Sequence, residues 1–230
     1  MPGAADDPLR MYLVLRRGAI ATLARAGELA GAAAVACVGR FGADPEHAGA
    51  LAAWRERPGK VCLRARTDAQ WRRVLAEPHA LAGDPDGEAV AALPPRRRSA
   101  RGPLLERLQA MSSALAAPPE RAGAGRADGR PGALTYVLNP AAVMSSGKTV
   151  AQIAHAAVMA AGEPRLAAWV ARGCRARVLA PAAPAFAAAA AAGDCVARVV
   201  DAGLTEVPPG TVTVVALAPG AVADLPPALR

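Results

Sequence analysis

"TYVLNPAAVMSSGKTVAQIAHAAVM", residues 135–159, decides how the rest of the chain is read. A run suited to a strand ends at Asn139, a turn follows, and from Lys148 the apolar residues recur at helical spacing up to Gly162. The predicted helix is Ala-rich and apolar nearly all round, yet it carries Lys148, Gln152 and His155. Steps of four and then three residues, at about 100° each, gather these three into one polar stripe. Ser145 or Ser146 can cap the helix, whose free backbone N–H groups favour an anion.

The same pattern stands earlier in the chain. "MYLVLRRGAIATLARAGELAGAAAV", starting at Met11, aligns without a gap at an offset of 124 and matches Tyr12 to Tyr136 and Ala30 to Ala154. Further on the offset becomes 115, where Trp54 meets Trp169, Leu63 meets Val178, Ala65 meets Ala180 and Trp71 meets Phe186. The repetition predicts a duplicated α/β fold, each half running strand, helix, strand, helix. In the second half the readings are "LTYVLN" strand, "KTVAQIAHAAVMAAG" helix, "RARVLA" strand and "PAFAAAAAAG" helix. Two β-branched runs, "CVARVV" and "TVTVVALA", then complete four strands. In the first half "EAVAALPP" reads as a short strand, and "GPLLERLQAMSSAL" as a helix with Leu104, Leu105, Leu108 and Met111 on one face. Between the halves, residues 112–132 are rich in Pro, Gly, Ala and Ser and have no hydrophobic period, the composition of a flexible connector. The expected division is therefore 8–111, a linker at 112–132, and 133–230.

The 230 residues are 53% hydrophobic but only 3% aromatic, so Ala, Val and Leu must fill the core. No apolar run reaches membrane-spanning length and the N-terminus lacks a signal pattern, which leads us to expect a cytoplasmic protein with no membrane partner. Cys37, Cys62, Cys174 and Cys195 form no CxxC pair and read as quiet, reduced thiols, so neither a zinc site nor a thioredoxin motif is expected. The net charge of +8 favours a polyanionic partner. Residues 1–111 hold 17 basic and 12 acidic side chains, against 7 and 5 in residues 133–230. The excess in the first half includes Arg96, Arg97, Arg98 and Arg101 in "PPRRRSARGP", a candidate phosphate-contacting loop.

In open α/β sheets, ligands gather at the carboxyl ends of strands. Two polar clusters of the second half lie at such places: the turn and helix from Ser145 to His155, and "DAGLT" from Asp201, followed by Thr211 and Thr213. "SSGKT" is similar to the tail of a P-loop, but GxxxxGK[ST] requires glycine at position 142, which is Ala. Taken singly, His155 reads equally well as a core histidine, Lys148 as a solvated side chain and Asp201 as an Asx-turn former. The chain uses 25 Arg and only two Lys, so Lys148 stands out against its default cation.

Together "MSSGKTVAQIAHAAV" and "VVDAGLTEVPPGTVTVVALAPG" resemble the archaeal and eukaryotic type of peptidyl-tRNA hydrolase, in its helix-opening GK, AQxxHAA and DAGxTxxxPGxxT blocks. The first half looks like a degenerate copy, with "GKVCLRA" at Gly59 similar to the family's second strand. The resemblance implies a mixed four-stranded sheet with flanking helices, duplicated here as a pseudo-dimer within one chain. It further implies hydrolysis of the ester joining a peptide to the 3′ end of tRNA, with no metal or organic cofactor. The family's functional positions fall on Lys148, His155, Asp201, Thr205 and Thr213. The chain departs from the family pattern at Ser146, Leu204 and Glu206, where lysine, arginine and glutamine are usual. The alternative to catalysis is an RNA-binding or interaction module that retains the fold. At the offset of 124, Lys148, Gln152 and His155 become Ala24, Glu28 and Gly31, so the first half is expected to be inactive. Its Arg96–Arg101 cluster is expected to hold the tRNA body.

Overall fold

The computed structural model describes residues 7–111, 115 and 132–220. Most of the expected linker and the last ten residues lie outside the described residues. The first half supplies β1 (Leu9–Arg16), α1 (Leu23–Phe41), α2 (Ala48–Glu56), β2 (Lys60–Ala65), α3 (Asp68–Ala76), β3 (Ala80–Gly83), β4 (Ala89–Arg97), α4 (Gly102–Glu106) and β5 (Gln109–Ala110). The second supplies β6 (Leu134–Leu138), α5 (Ser146–Ala161), α6 (Ala167–Ala171), β7 (Ala176–Leu179), α7 (Ala183–Ala191), β8 (Cys195–Val200) and β9 (Val212–Leu217). The first sheet is ordered β3-β4-β1-β2-β5 and the second β8-β9-β6-β7. In each, the first strand pairs parallel with the second and antiparallel with the last, so the two share one mixed topology apart from the added β5.

Helices α1 and α5 pack against each other between the sheets. Each also touches the second strand of the opposite half: α1 lies against β7 and α5 against β2. Close approach depends on small residues. A methyl group on Gly27 would come within 2.4 Å of Ile153 Cδ1, and one on Gly31 within 3.2 Å of Ala157 Cβ. The apolar core consequently runs across the boundary between the halves: Val150, Ala151 and Ala154 of α5 pack with Leu13, Ala30 and Ala34 of the first half. The outer faces are covered separately, the first sheet by Trp71, Val74 and Leu105, the second by Ala185, Phe186 and Ala189.

The halves correspond in a register one residue from that of the sequence match. Thr22 caps α1 and Ser145 caps α5, 123 positions apart. Gly59 and Arg175, 116 apart, each accept a bond from the indole of the preceding tryptophan and from the first paired residue of the central strand. Tyr12 faces outward with Val14 and Leu63, whereas Tyr136 faces the middle helices with Leu134 and Leu138. Residue identity drew Tyr12 onto Tyr136, but side chains alternate along a strand, and a slip of one exchanges the faces.

Two first-half elements also differ from expectation. Strand β4 runs through Pro94 and Pro95 as far as Arg97, so Arg96 and Arg97 lie on a strand rather than in a loop. The prolines fit because they fall at the irregularity opposite Met11 and beyond the reach of β3, where no ladder donor is needed. The helix expected over "GPLLERLQAMSSAL" stops at Glu106. The chain then turns extended to add β5 to β2, and Leu105, Leu108 and Met111 are buried all the same.

Candidate functional site

The site forms where α5 begins and β8 ends. Ser145 caps α5, its hydroxyl accepting from Lys148 N, and Thr149 Oγ1 donates back to Ser145 O. Gly147 is required there by close packing: a Cβ would stand 2.1 Å from the carbonyl oxygen of Met111, which crosses the start of the helix. Ser146 is buried and accepts from Leu115 N at 2.8 Å. The Glu206 carboxylate accepts from both Ser145 N and Ser145 Oγ, at 2.5 and 2.8 Å. This ties the loop after β8 to the positive end of the helix.

Asp201 is the first residue beyond β8, and its side chain is 6% exposed. Its backbone closes the following loop, with Asp201 N donating to Thr211 O and Gly210 N to Asp201 O. Oδ1 accepts from Gly203 N at 2.8 Å, the Asx turn expected of an aspartate in this place. Oδ2 accepts from Lys148 Nζ and from Gln152 Nε2, each at 2.5 Å. Lys148 Nζ also donates to Thr205 Oγ1 at 2.9 Å. Burial works to raise the Asp201 carboxyl, but the bonds from Lys148, Gly203 and Gln152 outweigh it and hold the group below its ordinary 3.8.

Of the predicted site residues, Lys148, Asp201 and Thr205 therefore meet, and Gln152 joins them from the same helical stripe. His155 lies further along α5, at the seam with the first half, where its Nδ1 is 2.9 Å from Lys60 Nζ. Burial, then the charges of Lys60, Lys148 and Arg10, push this imidazole well below its ordinary 6.5. Thr213 is fully buried and donates to Val199 O across β8. It is the extra residue of a bulge, since Val199 pairs with Val214 and Val200 with Val212.

Of the arginine cluster, Arg96 and Arg97 lie on the first sheet, opposite Arg10 and Leu9 at the end where β2 begins with Lys60, while Arg98 follows β4 and Arg101 precedes α4. Arg96 is paired with Glu77, Arg101 with Glu106, and Arg97 donates to Asp7 O. The sequence reading missed Gln152 and Lys60 as site residues. Gln152 was visible in the stripe, and Lys60 is the other of the two lysines.

The α/β sheet thus holds the Asp201 carboxylate and the Lys148 amine together at a strand end, the place where ligands gather in open sheets. Residues 133–229 match the family model of peptidyl-tRNA hydrolase PTH2. No curated protein and no solved structure matches the chain. No helix among the described residues is long and apolar enough to cross a membrane.

Proposed function

We propose that the chain hydrolyses the ester bond of peptidyl-tRNA, releasing peptide and free tRNA, in the cytoplasm and without a cofactor. The observation that carries this reading is the set of donors converging on Asp201 within the family-matched half. A carboxylate offers about four lone-pair positions, and three are taken by Lys148, Gln152 and Gly203. The fourth orients a water against the ester carbonyl. As the water attacks, its proton passes to Asp201 and then to the ribose oxygen that leaves. A carboxylate held below its ordinary range is a weak base, so positioning is the larger part of its contribution. Lys148 spends two of its protons on Asp201 and Thr205, and the third faces the developing oxyanion. Thr205 steadies Lys148, and Thr213 shapes the bulge from which the loop departs.

The shared sheet topology and the packing of α1 on α5 support descent from a duplicated unit, the first half standing where a second subunit would. The arginines of β4 then extend the basic surface along which the tRNA body lies. The test is release of peptide from purified peptidyl-tRNA at micromolar protein. No release above buffer rejects the reading. A second reading, an RNA-binding module without turnover, is favoured by the charge around the site. Leu204, 78% exposed, stands where the family usually has arginine, and the Glu206 carboxylate covers the helix terminus. Tight tRNA binding without hydrolysis selects it.

A further inference from the structure

We propose that Lys60, a residue of the first half, is a positioning residue for the site of the second: its ammonium donates to His155 Nδ1 and so leaves the ring proton on Nε2, which donates to an oxygen of the substrate. An ammonium has three donors and no acceptor, so a charged Lys60 at 2.9 Å from Nδ1 needs that nitrogen unprotonated, and the tautomer is what the test reads. Burial pushes the Lys60 amine well below its ordinary 10.5, and the Trp54 ring, whose centroid lies 4.6 Å from Nζ, works the other way by favouring the charged form. Among the described residues no carboxylate reaches Lys60, so His155 and Trp54 are what hold it. Trp54 is itself fixed, 1% exposed and bonded through its indole to Gly59 O, the residue before Lys60. His155 Nε2 bonds to no described residue and is not among the sealed polar atoms that lack a partner. It shares the α5 stripe with Gln152 and Lys148, whose side chains reach Asp201.

The pseudo-symmetric positions show that the fold does not need this pair. In the register set by the caps and by the Gly59 and Arg175 carbonyls, His155 corresponds to Ala32 and Lys60 to Ala176, and those two alanines line one cleft. Two methyl groups beside open space stand there in place of the lysine and histidine. The lysine and histidine occur only where the carboxylate site lies.

The proposal rests on the peptidyl-tRNA reading only for the identity of the oxygen, and the test separates the two. In the full chain labelled with ¹⁵N-histidine, the His155 resonances, identified by their loss in His155→Gln and so distinguished from His47 and His79, should show the Nε2–H tautomer at pH 7. Lys60→Met should abolish that preference and let the ring protonate nearer 6.5, and Lys60→Arg should retain it. On peptidyl-tRNA, Lys60→Met should lower kcat about tenfold with KM little changed, and Lys60→Arg should recover most of the loss. A proton on Nδ1 in the wild-type chain overturns the proposal, as does unaltered kcat in a folded Lys60→Met. Should Lys60→Met not fold, the wild-type tautomer and Lys60→Arg still decide the question. If the wild-type chain releases no peptide, the functional reading fails while the tautomer continues to test the role of Lys60.

Discussion

At the end of β8, Asp201 is met by Lys148 and Gln152; at the end of β3, Asp84 makes the same turn and is met by neither counterpart. Asp84 N donates to Glu88 O, Gly87 N to Asp84 O and Asp86 N to Asp84 Oδ1, which repeats the bonds made around Asp201. Arg25 stands in the place of Lys148, but its Nε goes to Glu88 at 2.9 Å. Leu29 stands in the place of Gln152. The turn-forming role of the aspartate is thus common to both halves and is no sign of chemistry. What separates them is the pair of donors that converge on one carboxylate oxygen in the second half.

The largest effect should come from breaking that convergence. Asp201→Asn keeps the shape and the Asx turn but removes the charge that holds Lys148. We expect kcat on peptidyl-tRNA to fall about 10²- to 10³-fold with tRNA affinity nearly constant, measured by peptide release and by filter binding. A variant that keeps kcat within tenfold of wild type would make Asp201 the structural twin of Asp84 and nothing more.

The second contrast is titratable. His155 is held well below 6.5, whereas its counterpart Ala32 cannot titrate. For a base depressed by folding, the unfolded chain binds the proton more readily, so stability is lost as pH falls below about 6.5, with a slope of up to about 1.4 kcal/mol per pH unit. Burial is the main cause, and the charges of Lys60, Lys148 and Arg10 reinforce that direction. Denaturant midpoints from pH 7 to pH 5 should therefore fall more steeply in the wild-type chain than in His155→Gln. Parallel curves would mean that His155 protonates freely in the fold.

The elements themselves were legible because hydrophobic period and capping signals agree: Ser145, Gly162 and the β-branched runs bound α5, β8 and β9 within a residue or so of the reading. The register between the halves was not, because matching by residue type weighs Tyr12 against Tyr136 and is blind to which way a strand residue points. Lys148, Asp201 and Thr205 were legible as motif residues. Lys60 was not, because its meaning depends on α5 packing across β2, a contact that exists only once both sheets are assembled. The strand "EAVAALPP" was legible, but its continuation through Arg96 and Arg97 was not, because two prolines in succession normally end a strand and are tolerated here only at the irregularity they occupy.

A third comparison sets the basic edge of the first sheet against the carboxylate site. Replacing Arg96, Arg97, Arg98 and Arg101 by glutamine should weaken tRNA binding about tenfold and flatten its salt dependence while leaving kcat unchanged. The effect should be smaller than four free arginines would produce, because Arg96 and Arg101 already face Glu77 and Glu106. Affinity and salt slope equal to wild type would leave the first half with only its packing role and Lys60.

The smallest effect is expected where the first half imitates the site. Arg25 and Glu88 form an ion pair whose side chains are 39% and 44% exposed, and such a pair contributes on the order of 0–1 kcal/mol. The cleft beside it, about 430 Å³, is lined by Arg25, Glu28 and Arg175 as well as by Leu29, Ala32 and Ala176, and none of these side chains bonds to Asp84. Arg25→Met with Asp84→Asn removes the only groups that correspond to Lys148 and Asp201. Because the Asx turn at Asp84 can be made by asparagine and the ion pair is solvated, thermal stability should shift by a few degrees at most. Peptide release should stay within twofold of wild type. A loss approaching that of Asp201→Asn would mean that the first cleft takes part in the chemistry, and the contrast between an equipped and an unequipped half would have to be abandoned.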